Sequence, residues 1–193
     1  MGTTCRWRFQ VLSCTPLLLL APSIRHAIES RMALHMLLEF PLLFASGYAV
    51  LRLVEARGQL RRFLVLDHLG IAGLTAASCV FAFWMIPAAL DAALIAPSVA
   101  AAKYVSWWSA GFAAANALGR TTMEIRIFFL GNAAWMSATA GLLYLDAANR
   151  LCVNYLFGDQ TLAGKGLVML ACLLIILAVV RQRGGGPGVK GCR

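Results

Sequence analysis

Apolar positions in this chain come in long unbroken runs, and the polar positions gather in the short stretches between them. The runs cover Trp7 to Ile24, Met32 to Leu53, Phe63 to Ile86, Ser98 to Leu118, Ile125 to Leu145 and Ala163 to Val180. Most approach the roughly 20 residues that a helix needs to cross the hydrocarbon core of a bilayer. None keeps the strict apolar–polar alternation of a membrane barrel. The pattern therefore predicts an all-α fold: a polytopic transmembrane helical bundle of about six spans, whose helices satisfy their own backbone groups in lipid. The second helix is expected to begin early, near Ala27. Residues 1–180 read as a single transmembrane domain, and 181–193 (RQRGGGPGVKGCR) as a disordered, basic cytoplasmic tail. In the first run Arg6 and Arg8 precede a short apolar core, as in a signal peptide. The sequence after Leu20 offers no small-x-small cleavage site, so an uncleaved anchor is expected.

Composition supports lipid as the solvent. Apolar residues make up 61% of the chain and charged residues 13%, against about 25% charged in a soluble domain. The net charge of +9 raises nucleic acid as a partner, but the basic residues flank apolar runs and form no patch of their own. With both termini inside, the cytoplasmic set is Arg6, Arg8, Arg52, Arg57, Arg61, Arg62, Arg120, Arg126, Arg181, Arg183, Lys190 and Arg193. The outer set is Arg25, Arg31, Arg150 and Lys165, and Lys103 lies within the fourth run, from which it is expected to snorkel outward. This bias predicts two cytoplasmic termini and an even number of spans. The cysteines form no C-x-x-C pair and carry no zinc or redox signature. Small residues four apart, at Ala133, Ser137 and Gly141 and at Gly73 and Ala77, predict close helix packing.

Chemistry concentrates in ESRMALHMLLEFPLLFASGY. Glu29, Met32, His35, Met36 and Glu39 would form one stripe on a continuous helix. Glu39 would then lie about 10 Å inside the apolar boundary, where an ionisable group is a functional candidate. Three readings are open. His35, Met32, Met36 and Glu39 make a candidate metal site: imidazole with thioether suits Cu(I), and imidazole with carboxylate suits several metals. His35 and Glu39 can instead bond each other and hold the bundle together. They can also share a proton. In the metal reading Glu39 serves best by orienting His35, and a further ligand must come from elsewhere, with Met85 and the Asp91 loop nearest by topology. Pro41 should kink the helix and free the Leu37 carbonyl. His26, near the outer surface beside Arg25 and Glu29, reads as a solvated loop histidine, with an entry ligand as the alternative. Asp67 and His68 read as a polar helix end on the opposite face, and Glu124 and Arg126 as interfacial anchors. No G-x-S-x-G, P-loop, Rossmann glycine pattern or H-E-x-x-H occurs, so no catalytic activity is expected.

Three segments together resemble a known membrane family, the bacterial cytochrome c oxidase assembly factor of the CtaG type. LHMLLEFPLL resembles its H-M-x-x-H stretch on an early helix. FWMIPAALDAALIAPSVAAAKYVSWWSAG resembles its W-x-I-P stretch, the Tyr-Asp-Ala-Ala-Leu that follows, a proline and the next helix. FGDQTLAGKGLVM resembles a D-Q-x-x-G-G stretch opening a late helix. The resemblance implies a multi-pass protein of the bacterial inner membrane that helps deliver copper to a respiratory oxidase or another copper enzyme. It carries His35 over as a ligand, with Asp91 and Asp159 as matched loop positions. Glu39 stands where the family has its second histidine, and Ala100 and Tyr104 flank Lys103 where it has histidines after Pro97. Membrane lipid and an oxidase or copper-protein client are the implied partners. The rival expectations are a structural or interaction subunit without metal, and a small proton-coupled transporter.

Overall fold

The computed structural model describes residues 3–56, 70–147, 151–152 and 154–183. Among these the regular structure is helical throughout. In chain order come α1 (Thr3–Ser13), α2 (Thr15–Leu19), α3 (Pro22–Glu29), α4 (Met32–Leu34), a π-helical turn (His35–Glu39) and α5 (Phe40–Ala56). They are followed by α6 (Ile71–Trp84), α7 (Pro87–Ile95), α8 (Pro97–Leu118), α9 (Met123–Asp146) and α10 (Phe157–Arg183). Asp67, His68, the start of the third apolar run and the tail beyond Arg183 lie outside the described residues.

Proline sets the breaks. Pro22, Pro87 and Pro97 open α3, α7 and α8. Proline's fixed φ suits the first turn of a helix, and it drives the residue before it into extended backbone. Ala21, Ile86 and Ala96 accordingly have ψ of 124°, 123° and 116°. The chain bends by 85° between Trp7–Leu19 and α3, and by 78° between α6 and α7. The stretch formed by α1 and α2 therefore stops at Leu19, and Pro22 to Ile24 belong to α3. The expected early start of the second helix is also corrected. Arg31 is extended (φ −123°, ψ 121°), so Glu29 belongs to the separate helix α3 and the stripe is not continuous. The distortion expected at Pro41 takes the form of the π-helical turn just before it.

Among the described residues, three helices are long and apolar enough to cross a membrane: Met32–Glu55, Met123–Asp146 and Phe157–Val180. Counting each bent pair as one crossing raises the number to five. α8 falls short in apolarity, yet at 22 residues it is about 33 Å long and sits at the centre of the bundle between α5 and α6. Serines and Lys103 interrupt a helix whose neighbours are protein on two sides.

α1 packs along α5, α5 and α6 along α8, and α9 along α10. α10 joins the first group mainly through α4 and the π-helical turn. We call that end, where α3, α7 and the α9–α10 connection lie, the upper end. There the Tyr144 hydroxyl donates to the Met85 carbonyl at 3.1 Å, and the Trp84 indole to Ser106 Oγ at 2.9 Å. Lower down, Ile125 and Phe129 of α9 pack against a cluster of Leu74, Ala114 and Ala117, and between the α9–α10 pair and the other helices lies an apolar cavity of about 370 Å³ lined by residues that include Phe44, Phe81, Trp107, Leu130, Ala133 and Leu174.

Candidate functional site

A group of charged side chains is buried at the upper end. Lys103, on the second turn of α8, is 0% exposed. Its Nζ lies 2.7 Å from Glu29 Oε1, 2.8 Å from Glu39 Oε1 and 3.0 Å from His35 Nε2. Three elements meet at this one atom: the end of α3, the π-helical turn and α8. Arg25 closes the outer side, its Nε donating to Glu29 Oε2 at 2.9 Å. Two carboxylates thus face two cations, which is the condition under which buried charge is tolerated. The ion pair to Glu39 is not angled as a hydrogen bond, so neither buried Glu39 oxygen has an aligned donor.

An ammonium only donates, so Nε2 of His35 accepts from Lys103 and the ring proton is assigned to Nδ1. Nδ1 then donates to the Tyr155 hydroxyl at 2.6 Å. Burial pushes the Tyr155 hydroxyl well above the usual phenol range, so it stays protonated at neutral pH. Phe40 packs edge-on to the His35 ring at 5.1 Å, and Trp107 stacks on Phe40 at 4.7 Å. This aromatic layer separates the cluster from the apolar interior below.

The loop that carries Tyr155 is itself well tied. Asn154 donates from N and Nδ2 to Asp91 Oδ1 on α7, at 3.4 and 3.2 Å. Gln160, buried in the first turn of α10, accepts from Leu151 N at 2.9 Å and donates to the Tyr144 carbonyl at 3.1 Å. Cys152 donates its thiol to the Pro87 carbonyl, and burial, with Asp91 adding, pushes that thiol up to about 12. His35 is therefore oriented by a hydroxyl on a fixed loop. The expectation that Glu39 orients it is replaced: His35 Nε2 and Glu39 Oε2 are 3.6 Å apart, and the Lys103 ammonium bridges the two side chains.

The structure brings His35 and Glu39 together, as their spacing implied, and adds Glu29 to them. The ligand atoms of Glu29, His35 and Glu39 all lie within 4.8 Å of one another. Met32 and Met36 are buried in the apolar core, and Met36 lines the cavity. Met85 closes α6, with its carbonyl taken by Tyr144, and also lines that cavity. Asp91 braces the loop and Asp159 sits in the first turn of α10, where a negative charge complements the helix N-terminus. His26 is exposed, as expected, but on the helix α3 and not in a loop. Arg126 donates to the Leu118 carbonyl and to Thr121 Oγ1, tying the α8–α9 turn.

Sequence reasoning missed two of the principal members. Lys103 was expected to reach out to the surface, and the structure turns it inward to the carboxylates. Its signal was present as a cation inside an apolar run with two unmatched glutamates elsewhere. Tyr155 carried no signal, because it meets His35 across 120 residues of chain. Comparison of the chain with protein-family models, curated proteins and solved structures finds no match to any of them.

Proposed function

We propose that the chain is a multi-pass accessory protein of the bacterial inner membrane, of the oxidase-assembly kind, that works by holding a client and not by chemistry or ion transfer. The resemblance of its three segments to the assembly-factor family supplies the client class. One observation carries the rest: the focal point of the polar cluster is occupied by the chain's own Lys103 ammonium, which hydrogen-bonds to Glu29 and His35 and pairs by charge with Glu39. Such a cluster locks α3, the π-helical turn and α8 together. In this reading the chain crosses the membrane six times with both termini inside. The central place of α8, alongside α5 and α6, and the positive-inside charge pattern support that count.

A second reading, copper handling at the outer face, is favoured by the convergence of Glu29, His35 and Glu39 within 4.8 Å. Two carboxylates and an imidazole would hold Cu(II) or Zn(II) better than Cu(I), and the thioethers that Cu(I) prefers belong to the apolar core. The donors therefore fit a cuprous ion poorly, and a cation already stands among them.

Oxidase assembly in a strain lacking the protein separates the readings. The strain is complemented with the wild type, with His35→Ala, and with the neutralised cluster Glu29→Gln/Glu39→Gln/Lys103→Met. Client holding expects the neutralised variant to restore the oxidase's haem absorbance in membranes. Copper handling expects both variants to fail, and copper to co-purify with the wild type but not with His35→Ala.

A further inference from the structure

We infer that Lys103 is the built-in, permanent cation of a site with metal-ligand geometry, and that the site becomes a divalent-metal site only when this ammonium is removed. The inference rests on the reading that the cluster works without a bound ion.

The acceptors are arranged as ligands are. A carboxylate oxygen from Glu29, another from Glu39 and Nε2 of His35 converge from α3 and from the π-helical turn. Nζ of Lys103 sits 2.7, 2.8 and 3.0 Å from them. The π-helical turn brings His35 and Glu39 to one side of α8, and Tyr155 fixes the ring so that Nε2 faces inward. Supporting a ligating imidazole through its other nitrogen is what metal sites do. Here the supported nitrogen meets an ammonium.

Charge says why the ammonium stays. Glu29, Glu39, Lys103 and Arg25 sum to zero, so a divalent ion entering beside Lys103 would leave two uncompensated positive charges in a buried site. Without Lys103 the group carries one net negative charge and three convergent donors. The Glu39 oxygens already lack aligned donors and are held by charge alone, a need that a metal ion meets as well as an ammonium does. Imidazole with two carboxylates suits Zn(II) and Cu(II).

The test uses the full chain in detergent at one fixed pH, with Zn(II) and Cu(II) each titrated against a chromophoric chelator. The wild type should bind neither ion more tightly than His35→Ala does. Lys103→Ala should bind one ion per chain on the order of 100-fold more tightly than the wild type. The double variant Lys103→Ala/His35→Ala should lose that gain. If Lys103→Ala unfolds when prepared without metal, its recovery on solubilisation with Zn(II) supports the inference equally, and failure to recover with either ion overturns it. A folded Lys103→Ala that binds no better than the double variant also overturns it. So does a wild type whose binding disappears in His35→Ala, since the ammonium would then be displaceable. These outcomes are read on purified protein and do not depend on oxidase assembly, so this inference and the client-holding reading fail separately.

Discussion

The helices α5 and α8 run side by side in the same direction and are joined differently at their two ends. At the upper end the π-helical turn that leads into α5 meets α8 through charge, with Glu39 and His35 drawn onto Lys103. About two turns lower the pair meets backbone to backbone. A Cβ added at Gly47 would overlap the Trp108 carbonyl, and one at Gly111 would overlap the Phe44 carbonyl. The upper contact needs side chains of specific charge, and the lower one needs side chains to be absent. In lipid both are sound means of association, because apolar burial alone gives helices little reason to prefer each other over acyl chains. The difference lies in how each fails. Losing one charge leaves others unpaired, whereas adding one methyl forces two rigid backbones apart.

Removing the central charge should have the largest effect. Lys103→Met leaves Glu29 and Glu39 buried with only Arg25 to balance them, and should cost about 3–5 kcal/mol, the range for breaking a buried ion pair from one side. Thermal unfolding in detergent measures it. Adding Glu29→Gln and Glu39→Gln should recover a large part of the loss, because the cost comes from the stranded carboxylates. If the triple variant is no more stable than Lys103→Met, the upper contact is not chiefly electrostatic. The glycine contact comes next. Gly47→Ala or Gly111→Ala should cost about 1–3 kcal/mol through overpacking. Their effects should be strongly non-additive, since either methyl alone already separates the same pair of helices. Simple addition in the double variant would contradict the shared contact.

A smaller effect is expected at the loop that orients His35. Tyr155→Phe removes one hydrogen bond to the buried imidazole and should cost about 1–2 kcal/mol. It should also alter the alkaline limb. Burial raises the Tyr155 hydroxyl, so its contribution is complete below the unfolded value near 10 and falls away as pH rises above it. The phenylalanine variant should therefore lose stability less steeply above about pH 10. Equal slopes in the two proteins would show that this hydroxyl does not set the limb.

The helical, membrane-compatible class was legible because it depends on composition and run length, which are properties of the chain alone. The second, fifth and sixth runs match helices that pass as crossings, Met32–Glu55, Met123–Asp146 and Phe157–Val180. The bends were harder to read. Pro22 and Pro87 were visible, but whether a proline ends a helix or merely kinks it depends on what the next segment packs against. The pairing of His35 with Glu39 was legible from local spacing. Glu29 reached the same place for another reason: the break at Arg31 removed it from the stripe, and Lys103 brought it back across 74 residues. Lys103 itself was misdirected because snorkelling is the default for a lysine near the end of a span.

The stripe of small residues on α9 offers the finest division of the comparison, since sequence treats Ala133, Ser137 and Gly141 as equivalent. The structure separates them. A Cβ at Gly141 would lie 2.8 Å from the Gly164 carbonyl, so this position belongs with the backbone contacts of Gly47 and Gly111. Ser137 is fully buried, its hydroxyl donating back to the Ala133 carbonyl at 2.9 Å. Ala133 instead lines the 370 Å³ apolar cavity between α9 and the α5–α6–α8 group. A leucine there has room to extend without displacing backbone, and it adds apolar contacts where the packing is open. Ala133→Leu should therefore change stability by less than about 1 kcal/mol, in either direction, while Gly141→Leu disrupts the α9–α10 pair. Thermal unfolding of the two variants in one detergent measures the contrast. A loss at Ala133 as large as that at Gly141 would mean that the cavity closes in the membrane and that α9 packs as tightly against α6 and α8 as it does against α10.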